Sequence, residues 1–352
     1  MYYALLIWVS LISGFSRIKL FKTLSFLIVI VSLCVFASMR SPEVDRDYLN
    51  YYYLWFLGEG DVNYLTEPLS SAIFLGFNEL GVDFHWVLFL FVFISIFLKL
   101  YVVKKDNLDM VVFLCMYVSY FYFQHDMTQI RVAAALGFSY LSFFYFFHNK
   151  LRAILYLIIG AFFHTSALLL VVFFFIKFNK KSLLIFSSIT TLFFIVELLG
   201  FDVVDVIRLA VSSIPFLNKY LFYFQGEWVQ QDINVYSFTN LMFLFVTYVS
   251  TLVVFKVKSP DKRFIGSIII VYIGLCSIPA FSSVPVISFR LSQVYLIFIP
   301  YMLSFGIRYF PPVVKMYYRI VILIIGLGLT YVIVDKAMIL KDYKTILEYS
   351  VY

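Results

Sequence analysis

The chain has 352 residues, of which 63% are hydrophobic and only 13% charged, with a mean hydropathy of +0.96. Soluble domains carry about a quarter charged residues, so a soluble fold is excluded. Apolar runs of near-spanning length from end to end predict an all-α polytopic membrane bundle of about 10–12 transmembrane helices, some short or re-entrant. A β-barrel is excluded as well, because barrel strands alternate apolar and polar residues.

In chain order, the apolar segments are 2–14, 23–39, 84–103, 110–123, 132–147, 151–176, 182–200, 237–255, 264–280, 286–306 and 313–334, with a shorter piece at 69–80 after Pro68. The opening MYYALLIWVSLISG lacks the basic flank of a cleaved signal and reads as a retained first helix. Basic residues cluster at Arg17/Lys19/Lys22, Lys99/Lys104/Lys105, Lys150/Arg152, Lys177/Lys180/Lys181, Lys256/Lys258/Lys262/Arg263 and Arg308/Lys315/Arg319. All flank short loops, which the positive-inside rule assigns to the cytoplasm. Most of the 20 acidic residues fall on the other side. The net charge of +7 is therefore topogenic, and nucleic acid is not a partner.

That orientation imposes two constraints. Leu69–Leu80 must enter and leave on one face, as a re-entrant or interfacial helix. Leu151–Phe175, with basic clusters at both ends, must be a bent pair of short helices with His164-Thr165-Ser166 at the tip. The long polar segments then lie outside: Arg40–Glu67, Phe201–Asn234 and the tail Asp335–Tyr352. No linker or soluble segment interrupts the chain, which reads as one domain over 1–352 with outer loops at about 40–67 and 201–236.

Several outer-face groups have the chemistry of a site. In RSPEVDRDYLNYYYLWF, Tyr48, Tyr51, Tyr52 and Trp55 share one helical face. That face suits either an interfacial aromatic belt or a sugar platform, with Arg46 and Asp47 beside it. Glu67 precedes Pro68, so it stands at the N-cap of the next helix; a carboxylate there can cap, or act as a base. Gln124–Arg131 packs His125, Asp126, Gln129 and Arg131 into eight residues before a small-residue stretch, VAAALG. An arginine there either snorkels to the headgroup layer from an ordinary outer loop or needs an anion or a water-filled cavity; a phosphate would satisfy it bidentately. His164 lies alone in GAFFHTSALLL, either as a packing residue or as a base. Arg290, followed by Gln293 and Tyr295, opens another helix at similar depth. Two arginines at matched depth suit a pyrophosphate. The loop 201–234 adds Asp202, Asp205, Arg208, Lys219, Tyr220, Tyr223 and Trp228, a mix that fits sugar contact or plain solvation. The three cysteines, Cys34, Cys115 and Cys276, sit singly in apolar runs and supply neither a disulfide framework nor a zinc site. Nucleotide, zinc-protease, serine-hydrolase and DxD metal motifs are absent from the sequence. A metal-free, cofactor-free reaction on a lipid-linked anion is what remains.

Five pieces in order resemble the EpsG family of polysaccharide polymerases, the Wzy-like group: RDYLNYY (Arg46–Tyr52), TEP (Thr66–Pro68), TQIRVAAALGFSYLS (Thr128–Ser142), AFFHTSALLL (Ala161–Leu170) and, more weakly, SFRLSQVYLIF (Ser288–Phe298). Val132 stands where the family often has a second polar residue. The resemblance implies a bacterial inner-membrane glycosyltransferase with a GT-C-like plan. It would polymerise undecaprenyl-pyrophosphate-linked repeat units into O-antigen, capsule or exopolysaccharide on the outer face. Its partners would be the lipid-linked donor and acceptor, the bilayer, a chain-length regulator and a flippase. Arg131 and Arg290 are then expected on the leaving pyrophosphate. The base is expected among His164, Glu67 and Asp47, and substrate contacts at Gln129, Arg46, Tyr48, Tyr52, Gln293 and Tyr295. A transporter or flippase of lipid-linked sugars is a competing class, although such proteins usually carry inverted repeats and midplane charges. An O-antigen ligase shares nearly the same chemistry.

Overall fold

The computed structural model describes residues 1–15, 21–57, 67–201, 203–204, 212 and 233–349. Arg17, Lys19, Thr66 and the named charged and aromatic residues of the loop 202–232 lie outside the described residues. The elements are α1 (Tyr2–Phe15), α2 (Lys22–Ser38), α3 (Tyr48–Phe56), α4 (Pro68–Glu79), α5 (Phe84–Lys105), α6 (Met110–Met116), α7 (Ile130–Phe146), α8 (Lys150–Phe163), α9 (Lys180–Leu198), α10 (Phe238–Lys256), α11 (Lys262–Ala280), α12 (Pro285–Leu296), α13 (Ile299–Gly306), α14 (Pro312–Tyr331) and α15 (Ile346–Tyr349). α6 widens into π geometry over Tyr117–Asp126, and a 3₁₀ stretch, Thr165–Phe175, follows α8. The molecule is thus an all-α polytopic membrane bundle, with no named strand among the described residues.

Among the described residues six helical stretches are long and apolar enough to cross a membrane, and four shorter apolar ones accompany them. Fewer than the expected 10–12 qualify by length, and the reasons are local. α1 has 14 residues, about 21 Å at 1.5 Å per residue, short of a ~30 Å hydrocarbon core. The run 151–176 breaks at His164, whose backbone is extended (φ −159°, ψ 129°). α4 has 12 residues, too few to cross, in keeping with a re-entrant or interfacial helix.

The chain divides into two compact units, Met1–Val171 with Phe310–Tyr352, and Val172–Tyr309. In the first, α7 is the central element, packed between α5 and α8. Lipid tails are as apolar as leucine, so helices in a membrane associate through small residues and polar bonds. α7 uses both. A Cβ on Gly137 would meet the Ser95 backbone of α5 at 3.2 Å, and Ser142 Oγ donates to the Ala153 carbonyl of α8 at 2.7 Å.

At one end of this unit the C-terminal tail pairs with the segment after α2. Arg40 bridges Thr345 and Asp45 bridges Leu340, and Lys344 Nζ lies 3.0 Å from Glu43. At the other end Arg319 pairs with Asp109 at 2.6 Å. Glu43 and Lys344 both come from segments that the charge pattern places outside. Lys99 departs from that pattern. It is fully buried within α5 rather than grouped with Lys104 and Lys105 at the helix end.

In the second unit α11 packs on α9, α10 and α12. At one end of it Lys180 Nζ donates to the Val257 carbonyl at 2.9 Å, and Asp261 pairs with Arg263 at 2.6 Å.

Candidate active site

Polar residues at helix starts in this chain are mostly spent on capping. Asp83, Asp109, Asn149, Asn179, Ser237 and Asp261 each stand at an N-cap and accept from an amide of the following turn, which satisfies an otherwise orphaned donor. Asp47 and Glu67 occupy the same position, before α3 and α4, and neither side chain caps its helix.

The Glu67 carboxylate turns away from α4 toward two other elements. Its Oε2 accepts from Arg131 Nη1, in the first turn of α7, at 2.5 Å. Its Oε1 lies 3.5 Å from His164 Nε2 and accepts from the Thr165 amide at 3.5 Å. α4 is held in reach by Ser70, whose hydroxyl donates to the Phe163 carbonyl at 2.7 Å, one residue before His164. The break after α8 is therefore what presents both the imidazole and the Thr165 N–H to Glu67.

Arg131 is further bracketed by Tyr51 of α3, whose ring centroid is 5.7 Å from its guanidinium carbon. Its Nε is buried with no hydrogen-bond partner among the described residues. The ion pair is reachable at one end: the Arg131 side chain is 27% exposed and that of Glu67 9%.

The protonation pattern follows from the donors. The Ser166 amide donates to His164 Nδ1 at 3.2 Å, and the Ser166 hydroxyl lies 2.8 Å from the same nitrogen. An amide can only donate, so Nδ1 of the neutral ring accepts and Nε2 carries the proton. His164 thus presents an N–H to Glu67. Burial pushes the Glu67 carboxyl above its usual range, opposed by the Arg131 charge and the Thr165 amide. Of the three residues expected to supply the base, Glu67 accepts from Arg131 and the Thr165 amide, and His164 Nε2 lies 3.5 Å from it.

The sequence model of the EpsG family matches residues 23–351. The chain belongs to the EpsG family. Membership makes it a membrane protein of polysaccharide biosynthesis, of polymerase type. Comparison with curated proteins and with solved structures gives no match. Four of the sequence pieces that resemble this family each supply one member of the cluster: Tyr51, Glu67, Arg131 and His164.

The other expected EpsG site residues divide between the two units. Asp47 is half-buried beside the cluster. Burial and the neighbouring Asp45 raise its carboxyl, and Arg131, Arg40 and Arg46 act in the other direction. Arg46 is exposed. Tyr48 and Tyr52 line a cleft of about 290 Å³ with Trp55, Asp83, Phe84, His85 and Ile346. Gln129 stands at the N-cap of α7, half-buried, with its side chain beside His125.

Arg290, Gln293 and Tyr295 belong to the second unit, on α12. Arg290 is exposed, with no ion pair among the described residues. Gln293 and Tyr295 are buried. Tyr295 packs against α11 where a Cβ on Gly274 would come within 2.9 Å of it.

In the sequence Tyr51 is only one of several aromatics on its helical face. Its signal was its helical phase, one turn behind Trp55 and three residues after Tyr48. Among the described residues no group of three or more His, Cys, Asp or Glu side chains gathers as a metal site.

Proposed function

We propose that this EpsG-family protein is a glycosyltransferase. It transfers a growing glycan from undecaprenyl pyrophosphate onto the next lipid-linked repeat unit, on the outer face of the bacterial cytoplasmic membrane. The observation that carries this reading is the Glu67 carboxylate, withheld from capping α4 and held 2.5 Å from Arg131.

The step is an inverting displacement. The acceptor hydroxyl gives its proton to Glu67 as its oxygen bonds to the donor's anomeric carbon. The bond from that carbon to the pyrophosphate oxygen breaks, and the electron pair leaves with undecaprenyl pyrophosphate. As Glu67 is protonated it loses the charge that Arg131 was meeting. The guanidinium is then free for the anion developing on the leaving group. An interaction that strengthens only as charge moves lowers the barrier rather than tightening ground-state binding. His164 Nε2–H and the Thr165 amide orient the carboxylate. The cleft lined by Tyr48, Tyr52 and Trp55 offers aromatic faces to sugar rings. Arg290 is assigned a second contact to a lipid-linked pyrophosphate. No metal takes part, so oligomer formation is expected to proceed in EDTA. A flippase would supply the substrate and a chain-length regulator would set the product length.

The test is purified protein in lipid nanodiscs with a defined undecaprenyl-pyrophosphate repeat unit, scored for oligomer ladders. Wild type is expected to form ladders. Glu67→Gln is expected to form none while eluting and melting like wild type. Normal ladders from Glu67→Gln refute the assignment of the base. Ladders that vanish in EDTA and return with a divalent cation refute the metal-free step.

A further inference from the structure

One costly feature of the first unit lies outside the Glu67 cluster. Lys99 and Asp126 are both fully buried in the first unit, Lys99 within a helix long and apolar enough to cross a membrane, where ionisable side chains are expensive and are kept for a function. Lys99 Nζ donates to the Tyr117 hydroxyl at 2.9 Å, to the Ala133 carbonyl at 3.1 Å and to Ser95 Oγ. Tyr117 in turn donates to Asp126 Oδ2. The polarity is consistent along the chain: ammonium to phenol oxygen, phenol proton to carboxylate. One amine therefore ties together α5, the π turn that ends at Asp126 and the first turn of α7.

Ala133 is two residues past Arg131. At 100° per residue it faces away from Glu67, toward α5. Gln129 provides no side-chain cap to α7, so the Lys99 bond is a side-chain anchor on that turn from the rear. π turns recur at functional sites because they re-aim the residues that follow them. Here the widened helix delivers Asp126 and, after a short connection, Arg131.

We infer that Lys99, acting through Tyr117 and Asp126, is a positioning residue for the active site, holding the first turn of α7 so that Arg131 reaches Glu67. This rests on the proposed role of Glu67 and Arg131. Its test must therefore fail separately from theirs.

The reporter is the acid limb of the pH–rate profile for oligomer formation, which follows ionisation of Glu67. The charged or titratable groups near that carboxylate are Arg131 and His164 directly, and Asp47 and Tyr51 through Arg131. Arg131→Gln removes the cation and is expected to move the limb to higher pH. If it does not, the underlying reading falls. Lys99→Met is expected to cut turnover by about tenfold or more and to move the limb in the same direction. Tyr117→Phe deletes one hydroxyl, keeps the ring and is expected to do the same to a smaller extent. It serves if Lys99→Met fails to insert. Val103→Ala, a buried apolar truncation lower on α5, is expected to lower the melting temperature and leave the limb in place. If Arg131→Gln moves the limb and neither Lys99→Met nor Tyr117→Phe does, Lys99 is a fold residue and the inference is overturned. A Val103→Ala shift of the same size overturns it as well.

Discussion

Two arginine–carboxylate pairs of the first unit have the same N···O distance of 2.5 Å and opposite character. Arg40–Asp45 is completely sealed, both side chains at 0% exposure. Asp45 also accepts the Asp47 amide at 2.8 Å, Arg40 Nη1 donates to the Ala37 carbonyl, and the C-terminal tail closes over the pair through the bridges to Thr345 and Leu340. Arg131–Glu67 instead leaves the arginine over a quarter exposed. It joins two helix starts and a helix break rather than neighbours in one segment. The sealed pair locks a chain end, and the reachable pair keeps charge available. Distance alone does not separate the two. Exposure does, for Arg40 too has a buried donor, Nη2, with no partner among the described residues.

The contrast can be broken in several ways. The largest effect is expected for Glu67→Gln, a loss of about 10³-fold in turnover with the fold intact, in the range of a removed general base; ladder assays alongside thermal melts measure both. Arg40→Ala is expected to do the reverse. It leaves Asp45 charged and buried, costing about 3–5 kcal/mol of stability, with near-normal turnover per folded molecule, read by melting temperature and active-site titration. If Arg40→Ala kills turnover without unfolding, the two pairs are not distinct in kind. Arg290→Ala in the second unit is expected to lower turnover by about 10²-fold, as loss of a contact to a lipid-linked pyrophosphate would, with insertion unchanged.

Burial raises the Glu67 carboxyl and Arg131 opposes the rise, and the base must be ionised to act. Activity is therefore expected to fall on acidification at a pH above the ordinary carboxylate range, and the limb to shift further up in Arg131→Gln. The stability sign is opposite. A raised carboxyl favours the folded state at low pH, and that contribution is lost as pH rises through its folded-state value. The smallest effect belongs to Tyr52→Ala in the aromatic cleft: a rise in KM of about tenfold or less, with kcat changed little. An equal fall in kcat and kcat/KM would move Tyr52 from substrate binding to the reacting centre.

Much of this was legible in the residues themselves. Hydropathy and the distribution of charge gave an all-α membrane protein, because in lipid the backbone leaves few alternatives. Basic clusters at both ends of 151–176 required a break within it, and the chain breaks at His164. Pro68 put Glu67 at a helix start. The motif order gave the family. What one dimension could not supply was which polar groups meet. Asp83 and Glu67 look alike in sequence, each one residue before a helix. Only the fold shows the first capping its own helix and the second reaching across 64 positions to Arg131.

Lys99 shows the same limit from the other side. By sequence it joins Lys104 and Lys105 as a topology signal. In the structure one and a half turns of α5 separate it from them, and it binds a carbonyl of α7. Local rules act over a turn or two of chain and fix helices, breaks and orientation. Partner choice for a charge depends on which helix ends converge, and that is decided by packing: the Gly137 approach to α5, the Ser70 tie to Phe163 and the re-aimed start of α7. The sequence therefore determined the class of the protein, its family and the roster of reactive side chains. The tertiary structure decided that Glu67, Arg131 and His164 form one group, because ion pairs form only between groups that the backbone has already brought within reach.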